Sequence, residues 1–108
     1  MEKEVKVLFE KILYEVDYLV NKMSKATLEK FLSSEGKKRL AGMTFINIGE
    51  YLWRLPKDIF EPNQKAFNEF VAISRNIVSN YENWDFTQMW DDIQVRLPEL
   101  KEKINELL

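Results

Sequence analysis

The 108-residue sequence contains no cysteine and no histidine. Without cysteine the chain forms no disulfide bond and no thiolate metal site. Without histidine it lacks the only side chain that titrates unperturbed near neutral pH, which is also the commonest general acid-base residue and metal ligand. A catalytic histidine and a histidine-ligated metal are therefore excluded.

Glycine and proline are scarce, with three of each, whereas glutamate, lysine and leucine are plentiful. This bias is typical of long helices and not of a many-turned β-sandwich. The hydrophobic fraction of 45% and the aromatic fraction of 13% supply enough apolar surface for a packed core. A chain of this length has room for one core. We therefore expect residues 1–108 to form a single all-α domain.

No apolar stretch reaches membrane-spanning length, because Glu and Lys recur every few residues. The first four residues show no basic segment leading into an apolar one, so we expect a cytoplasmic protein. The net charge of −2 gives no general attraction to a polyanion, so any nucleic-acid contact must use a local cluster of Lys and Arg. The densest basic run, Lys37-Lys38-Arg39, is more typical of a solvated helix start than of a phosphate-binding patch.

Apolar residues at three- and four-residue spacing predict a first amphipathic helix, with a buried stripe of Val5, Leu8, Ile12, Val16, Leu19 and Met23. Thr27 indicates the start of a short helical turn. A second long helix is expected to begin near Ser34 and to end before Pro56. It is apolar over more of its circumference than one neighbouring layer covers, which indicates a partner surface and favours a homodimer.

The third helix is expected to start near Gln64, with a buried face of Phe67, Phe70, Val71, Ile77 and Val78. Asp85 followed by Gln88 is a helix-start signature for a fourth helix, which Pro98 kinks or restarts. The predicted architecture is an up-and-down bundle of four principal helices, or five if the C-terminal helix is broken. Three aromatic residues near the start of the fourth helix are expected to pack in the core or at an interface and receive no site role: Trp84, Phe86 and Trp90.

Several short motifs follow one another in a fixed order between Ala72 and Leu100. They are Arg75-Asn76, Asp85, Trp90, Ile93-Gln94 and Leu97-Pro98-Glu99-Leu100, and upstream Ile48-Gly49-Glu50 precedes Arg54-Leu55-Pro56. The series resembles that of the HepT-like toxins of the HEPN superfamily, over nearly the whole chain. The resemblance implies a HEPN-like bundle and metal-independent RNA cleavage, in which a ribose 2′-hydroxyl attacks the adjacent phosphodiester. Neither a metal nor a cofactor is expected.

In that family an arginine is followed by four residues, a histidine, one further residue and a tyrosine. Arg75 matches the arginine, and the resemblance assigns it phosphate binding, with Asn76 and Glu50 in support. Asn80 stands at the histidine position, and Tyr81 stands one place earlier than the family tyrosine. Because an amide does not titrate, and a general acid-base group contributes about 10²–10⁴-fold in rate, the chain is expected to be inactive or very slow.

The residues by themselves favour plainer roles for two of these positions. A lone arginine on a helix is most often solvated or half of a surface ion pair. Glu50 has Arg54 four residues later, and this spacing favours an intrahelical ion pair over an interaction of Glu50 with Arg75 across the bundle.

The resemblance also implies partners. HepT-like proteins are generally two-fold dimers whose paired motifs face a shared cleft, and RNA, here expected to be tRNA, is the substrate. They are typically encoded beside an MntA-type nucleotidyltransferase, an antitoxin that transfers AMP to the motif tyrosine. Tyr81 is therefore the expected acceptor, and the added phosphodiester is expected to pair with Arg75 and to occupy the place of an RNA phosphate.

A second function stays open, in which the chain is a non-catalytic subunit that binds a nucleotidyltransferase or a nucleotide through the same cleft. A histidine-to-asparagine exchange is also a way to express a toxic nuclease, so the natural residue at position 80 separates the two hypotheses. Histidine there favours the toxin, and asparagine favours the binding subunit.

Overall fold

The computed structural model describes all 108 residues as an all-α bundle without strands, which confirms the predicted fold class. The helices are α1 Lys3–Met23, α2 Leu28–Ser33, α3 Glu35–Trp53, α4 Lys57–Phe60, α5 Gln64–Asn80, α6 Phe86–Asp91 and α7 Leu97–Leu107. Short 3-10 turns cover Glu61–Asn63 and Tyr81–Asn83, and a π turn, Asp92–Arg96, joins α6 to α7. None of the helices combines the length and the hydrophobicity that crossing a lipid bilayer requires.

Local capping residues set the helix starts where the sequence predicts them. Ser34 caps α3, since its Oγ accepts a hydrogen bond from the Lys37 backbone N–H at 3.1 Å. Asp85 caps α6 in the same way, accepting from the Gln88 N–H at 3.0 Å. Each side chain satisfies one of the donors that the first turn of a helix leaves without a partner.

The C-terminal helix contains its proline without breaking. Pro98 is the second residue of α7, where its missing N–H costs no helical hydrogen bond. Just before it, the Leu97 N–H donates to the Asp92 carbonyl in the wider π pattern. The buried Asp92 carboxylate also accepts from Arg96 Nε at 2.8 Å, and Arg96 Nη1 lies 3.0 Å from Glu69 of α5. The π turn is thereby tied to the neighbouring helix.

Helix α1 packs between α3 and α7, and α3 packs against α5. Five of the six residues predicted for the buried stripe of α1 are buried, but Leu8 is only partly so and Phe9 takes its place in the core. On α5, Val78 was predicted to be buried and is 68% exposed, whereas Ser74 is buried. Ser74 is the small residue at which α3 approaches α5 closely, and Val78 lines an open groove between these helices instead of the core.

That close approach depends on two glycines of α3. A Cβ atom built on Gly49 would overlap the Ser74 side chain and lie 3.0 Å from the Phe70 carbonyl oxygen. One built on Gly42 would lie 3.3 Å from Cε1 of Tyr81. The two glycines are seven residues apart and therefore share one side of α3. They bring the backbone of α3 close to the C-terminal half of α5, where the motif residues lie.

Candidate functional site

Arg75 lies in the C-terminal half of α5 on the exposed side of the bundle. Its guanidinium carbon is 4.4 Å from the centroid of the Trp53 ring on α3, an arginine-aromatic contact that leaves the N–H donors free. Trp53 is itself 55% exposed and meets Phe60 edge-on. Arg75 forms no ion pair within the chain. Its donors therefore remain available to an external anion.

Glu50 is exposed and forms an ion pair with neither Arg54 nor Arg75. The expected intrahelical pair of Glu50 with Arg54 is therefore wrong. Arg54 directly follows α3 as its C-cap, and its guanidinium lies 5.9 Å from the Tyr51 ring centroid instead. Across the bundle, Arg75 is held by Trp53, one helical turn beyond Glu50, and not by Glu50 itself.

Asn80 is the last residue of α5, and its side chain is exposed. Its Oδ1 accepts a hydrogen bond from Asn83 Nδ2 at 3.3 Å. Five residues of α-helix separate positions 75 and 80 by about 7.5 Å along the axis and about 140° around it. Within one chain the two side chains therefore diverge. Asn76 is exposed beside Arg75.

Tyr81 follows α5 directly, and its ring is half-buried. The ring packs over Gly42 and meets the Phe86 ring edge-on, with centroids 5.3 Å apart. Its hydroxyl donates to Glu35 Oε1 at 3.4 Å, and the Arg39 guanidinium lies 5.4 Å from its centroid. Burial and the Glu35 carboxylate raise the pKa of the phenol, against a smaller opposing effect of Arg39. The hydroxyl is thus protonated at neutral pH.

Arg75 was the cation expected beside Tyr81, but a different arginine contacts the Tyr81 ring. Arg39, from the first turns of α3, lies beside Tyr81, whereas Arg75 lies over Trp53. Tyr81 comes six residues after Arg75, which places it about 9 Å further along the helix axis and on another side of α5. Any phosphate attached to Tyr81 would meet Arg39 first.

An apolar groove runs between α3 and α5 next to Tyr81, and we call it the outer groove. It encloses about 300 Å³ and is lined by Arg39, Gly42, Met43, Ile46, Ile77, Val78 and Tyr81. Met43 and Val78 are 56% and 68% exposed, so two apolar side chains of the groove face solvent. From the sequence, Arg39 was interpreted as part of a solvated basic run, and Trp53 received no role. The spacing held a signal for both, because one stripe of α3 contains residues at three- and four-residue spacing: Arg39, Met43, Ile46, Glu50 and Trp53.

Fold and site together define an all-α bundle with an unpaired arginine on the exposed side of α5 and with a tyrosine, a glutamate and a second arginine in contact at the C-terminal end of that helix. No family model and no solved structure matches the chain. Curated proteins match the chain over nearly its whole length.

Three of these relatives carry the name of a ribonuclease. "Putative RNase MJ1216" of Methanocaldococcus jannaschii is 22% identical over 108 residues, which are 99% of this chain and 89% of the relative. "Putative RNase TTE0752" of Caldanaerobacter subterraneus subsp. tengcongensis is 25% identical over 100 residues, 92% of this chain and 89% of the relative. "Putative RNase MJ0125" of M. jannaschii is 22% identical over 108 residues, 99% of this chain and 93% of the relative. The similarity supports an RNase-type family.

Proposed function

We propose that the chain is a HepT-like toxin subunit of a cytoplasmic toxin–antitoxin pair, an RNase in its active form that is inactive or very slow with Asn80 at the histidine position. The similarity to proteins named RNases supports the reaction class. The observation that carries the proposal is Arg75, an exposed guanidinium held against Trp53 with no carboxylate partner. Such a group is suited to binding the phosphate of an RNA strand, with tRNA as the substrate we favour.

In the proposed reaction a ribose 2′-hydroxyl loses its proton and attacks the neighbouring phosphorus, and the bond from phosphorus to the 5′-oxygen of the next nucleotide breaks. The products are a 2′,3′-cyclic phosphate and a 5′-hydroxyl, whose oxygen takes up a proton as it leaves. Arg75 binds the phosphate oxygens and stabilises their growing negative charge. Glu50, one turn from Trp53 on α3, and Asn76 are proposed to position Arg75 once RNA is bound. The 2′-hydroxyl proton needs an acceptor, which the amide of Asn80 cannot be. The test is cleavage of tRNA and bulk RNA by the chain as it stands and with histidine at position 80.

The complete lack of histidine favours a second candidate function, a non-catalytic subunit that binds a nucleotidyltransferase or a nucleotide through the outer groove. The two candidates differ in what a histidine at position 80 does. In the first it restores cleavage of RNA, and in the second it leaves the protein inactive.

The exposed face of α3 and α5 also supports a homodimer. Met43, Trp53 and Val78 are each more than half exposed on this face, and Arg75 lies among them. A two-fold dimer through this face would cover the apolar side chains with the same surface of a second copy. It would also bring position 80 of one chain towards Arg75 of the other chain. Within one chain the two side chains diverge and cannot act on the same phosphate.

The expected result in solution is a dimer at micromolar concentration, measured by light scattering coupled to size-exclusion chromatography. Val78→Asp should shift the protein to monomer without unfolding it, because a buried unpaired charge is costly at an interface and harmless on an exposed helix face. Val95→Asp is the matched control, since Val95 is also exposed but lies on the π turn away from this face. A wild-type monomer at these concentrations would contradict the proposal.

Tyr81 is proposed as the residue to which an MntA-type nucleotidyltransferase transfers AMP. In the transfer the phenolic oxygen forms a bond to the α-phosphorus of ATP, the bond to the β-phosphate breaks, pyrophosphate leaves, and the hydroxyl proton passes to a base. The hydroxyl lies at the surface, where its hydrogen-bond acceptor Glu35 is also exposed. The adenylyl group would extend over the outer groove.

The expected product of incubation with the cognate nucleotidyltransferase, ATP and Mg²⁺ is one adenylyl group per chain, detected by mass spectrometry and mapped to Tyr81. Tyr81→Phe should abolish the adduct. Tyr14, which is 67% exposed, is an internal control for indiscriminate transfer and should stay unmodified. Absence of an adduct, or an adduct that persists in Tyr81→Phe, would contradict the assignment.

A further inference from the structure

Four cations of the chain lie over aromatic rings and form no ion pair within the chain. The pairs are Lys11 with Tyr51, Arg54 with Tyr51, Lys22 with Tyr18 and Arg75 with Trp53, at 5.6, 5.9, 5.5 and 4.4 Å from the cation to the ring centroid. The basic run Lys37-Lys38-Arg39 differs, because Lys38 and Arg39 both pair with Glu35. Cations that are held in place by a ring and have no carboxylate partner therefore come from distant positions of the sequence.

Tyr18 belongs to an exposed stripe of α1 that we call the α1 stripe. Its members recur at three- and four-residue spacing and so share one side of the helix: Val7, Lys11, Tyr14, Tyr18 and Lys22. All five are exposed, and no carboxylate stands among them. The rings of Tyr14 and Tyr18 are stacked at 21° to each other, with centroids 6.2 Å apart. The α1 stripe therefore presents two nearly parallel rings between two lysines.

A groove beside the α1 stripe lies between α1 and α3, and we call it the α1 groove. It encloses about 420 Å³, and Tyr14 and Tyr51 are among its lining residues. Lys11 lines it too, with its ammonium over the Tyr51 ring. Glu10 and Glu15 complete its polar lining, and carboxylates accept hydrogen bonds from the amino groups of bases. The α1 groove thus combines aromatic rings, a cation and hydrogen-bond acceptors, which suit a nucleotide of a single strand.

The C-terminal end of α3 connects the α1 groove to Arg75. Trp53 and Arg54 are consecutive there, so their side chains leave the helix about 100° apart around its axis. Trp53 lies against Arg75 of α5, whereas Arg54 lies over Tyr51. The Tyr51 ring also meets Lys11 of α1. Since Trp53 and Arg54 are both exposed, one continuous surface leads from α5 over the end of α3 to α1.

The composition of the α1 stripe favours a polyanion over a protein as the partner. Tyrosine suits both kinds of partner, but lysine is depleted from the core of protein interfaces. Here Lys11 and Lys22 stand on either side of the tyrosine pair. Unpaired lysines bind a phosphate strand favourably, because each contact releases a counterion, and exposed rings bind its bases by stacking.

We infer that a single RNA strand bound at Arg75 continues across the end of α3 and along the α1 stripe. Arg54 and Lys11 bind its phosphates, and a base stacks on Tyr14 in the α1 groove. The inference takes RNA as the ligand from the proposed function and adds a second binding surface outside the site of cleavage. A dimer through the exposed face of α3 and α5 leaves the α1 stripe open, because the stripe lies on the other side of α3.

The test measures the binding of a single-stranded oligocytidylate of about 12 nucleotides, a length within the site sizes of single-strand binders. Its 2′-O-methyl groups prevent cleavage, so binding is measured apart from the proposed reaction, by the fluorescence anisotropy of a dye at its 5′ end. Tyr14→Ala should weaken binding about ten-fold, as expected for one lost stacking contact. Tyr14→Phe keeps the ring and should bind as the unmodified chain does.

Two further substitutions each remove one phosphate contact. Lys11→Gln and Arg54→Gln should both weaken binding, and each should reduce the slope of log affinity against log salt concentration by about 0.7, the value for one phosphate of a single strand. Lys65→Gln is the matched control, because this exposed lysine lies in a separate groove between α5 and α7. It should change neither the affinity nor the slope. All the replaced side chains are exposed, so circular dichroism should show an unchanged Tm.

Unchanged affinity in both Tyr14→Ala and Lys11→Gln would overturn the inference. Loss of the dimer in Tyr14→Ala would also overturn it, by assigning the α1 stripe to a second copy of the chain. If Asn80→His cleaves a long RNA equally well with and without Tyr14→Ala, the extended surface is refuted and the proposed RNase function stands. Binding that depends on Tyr14 and Lys11, without cleavage by Asn80→His, supports the extended surface while the RNase function fails.

Discussion

Asn80→His is expected to raise the rate of RNA cleavage by about 10²–10⁴-fold over that of the chain as it stands, the usual contribution of a general acid-base group. The physical reason is that an imidazole takes and gives protons near neutral pH, whereas an amide does neither. Asn80 is exposed at the end of α5, so a larger side chain fits there without repacking the core. Cleavage should be followed as release of fragments from tRNA and from a fluorescent single-stranded RNA.

Two matched variants show whether the new imidazole acts at the proposed site. Ser79→His places the same group one residue away on the same exposed segment and should remain as slow as the unmodified chain. Arg75→Ala in the Asn80→His background should abolish the gain, since the phosphate loses its cation. The restored activity should also change with pH around about 6.5, the unperturbed pKa of imidazole.

Rapid cleavage by the unmodified protein that is lost in Arg75→Ala would show that another residue already transfers the proton. Tyr81 is a poor candidate for a base, because burial and Glu35 raise the pKa of its phenol. No gain of activity in Asn80→His, in a dimeric and folded protein, would favour the non-catalytic binding subunit.

Gly49→Ala is expected to destabilise the fold by about 2 kcal/mol. The added methyl group overlaps the Ser74 side chain and presses on the Phe70 carbonyl, and overpacking this severe lies at the upper end of the usual range, about 3 kcal/mol. The better helix propensity of alanine, about 1 kcal/mol, offsets part of that cost. Thermal unfolding followed by circular dichroism should show Tm lowered by roughly 10 °C.

Gly36→Ala is the matched control, because the nearest atom to a Cβ there is Ser34 Oγ at 4.0 Å. It should leave the protein as stable as before or slightly more so. Ser74→Gly combined with Gly49→Ala should recover part of the loss, since it removes the atoms that the methyl group meets, while the Phe70 carbonyl stays. A Gly49→Ala protein as stable as the Gly36→Ala protein would contradict the close approach of α3 and α5.

The ends of the helices could be predicted from the sequence because they depend on local interactions. Ser34 and Asp85 each cap a helix by accepting from a backbone N–H three residues later, and this spacing is visible in the sequence. Pro98 permitted a kinked helix or a restarted one, and the structure shows a π turn followed by α7. Composition and periodicity were sufficient for the fold class.

The surroundings of the candidate site could not be predicted, because they depend on contacts between distant parts of the chain. Glu35 and Tyr81 are 46 residues apart, and no local pattern connects them. Val78 fits the apolar period of α5, yet it lines the open outer groove and stays exposed. Likewise, the spacing of Glu50 and Arg54 favours an ion pair, whereas the Arg54 guanidinium lies over the Tyr51 ring instead. The roles of Arg75, Asn80 and Tyr81 remain predictions that the variants above test.

The contact of Arg75 with Trp53 gives the protein an optical probe at the place where its substrate is proposed to bind. Of the three tryptophans, Trp53 is the exposed one, and Trp84 and Trp90 are partly buried. The emission of an indole depends on the polarity and charge around it. Movement of the Arg75 guanidinium from Trp53 to a phosphate should therefore alter the fluorescence of Trp53, and so should burial of the Trp53 ring by a second copy of the chain. Dimerisation makes the fluorescence of Trp53 depend on protein concentration, whereas RNA binding makes it depend on RNA concentration. The two events can therefore be distinguished without a label.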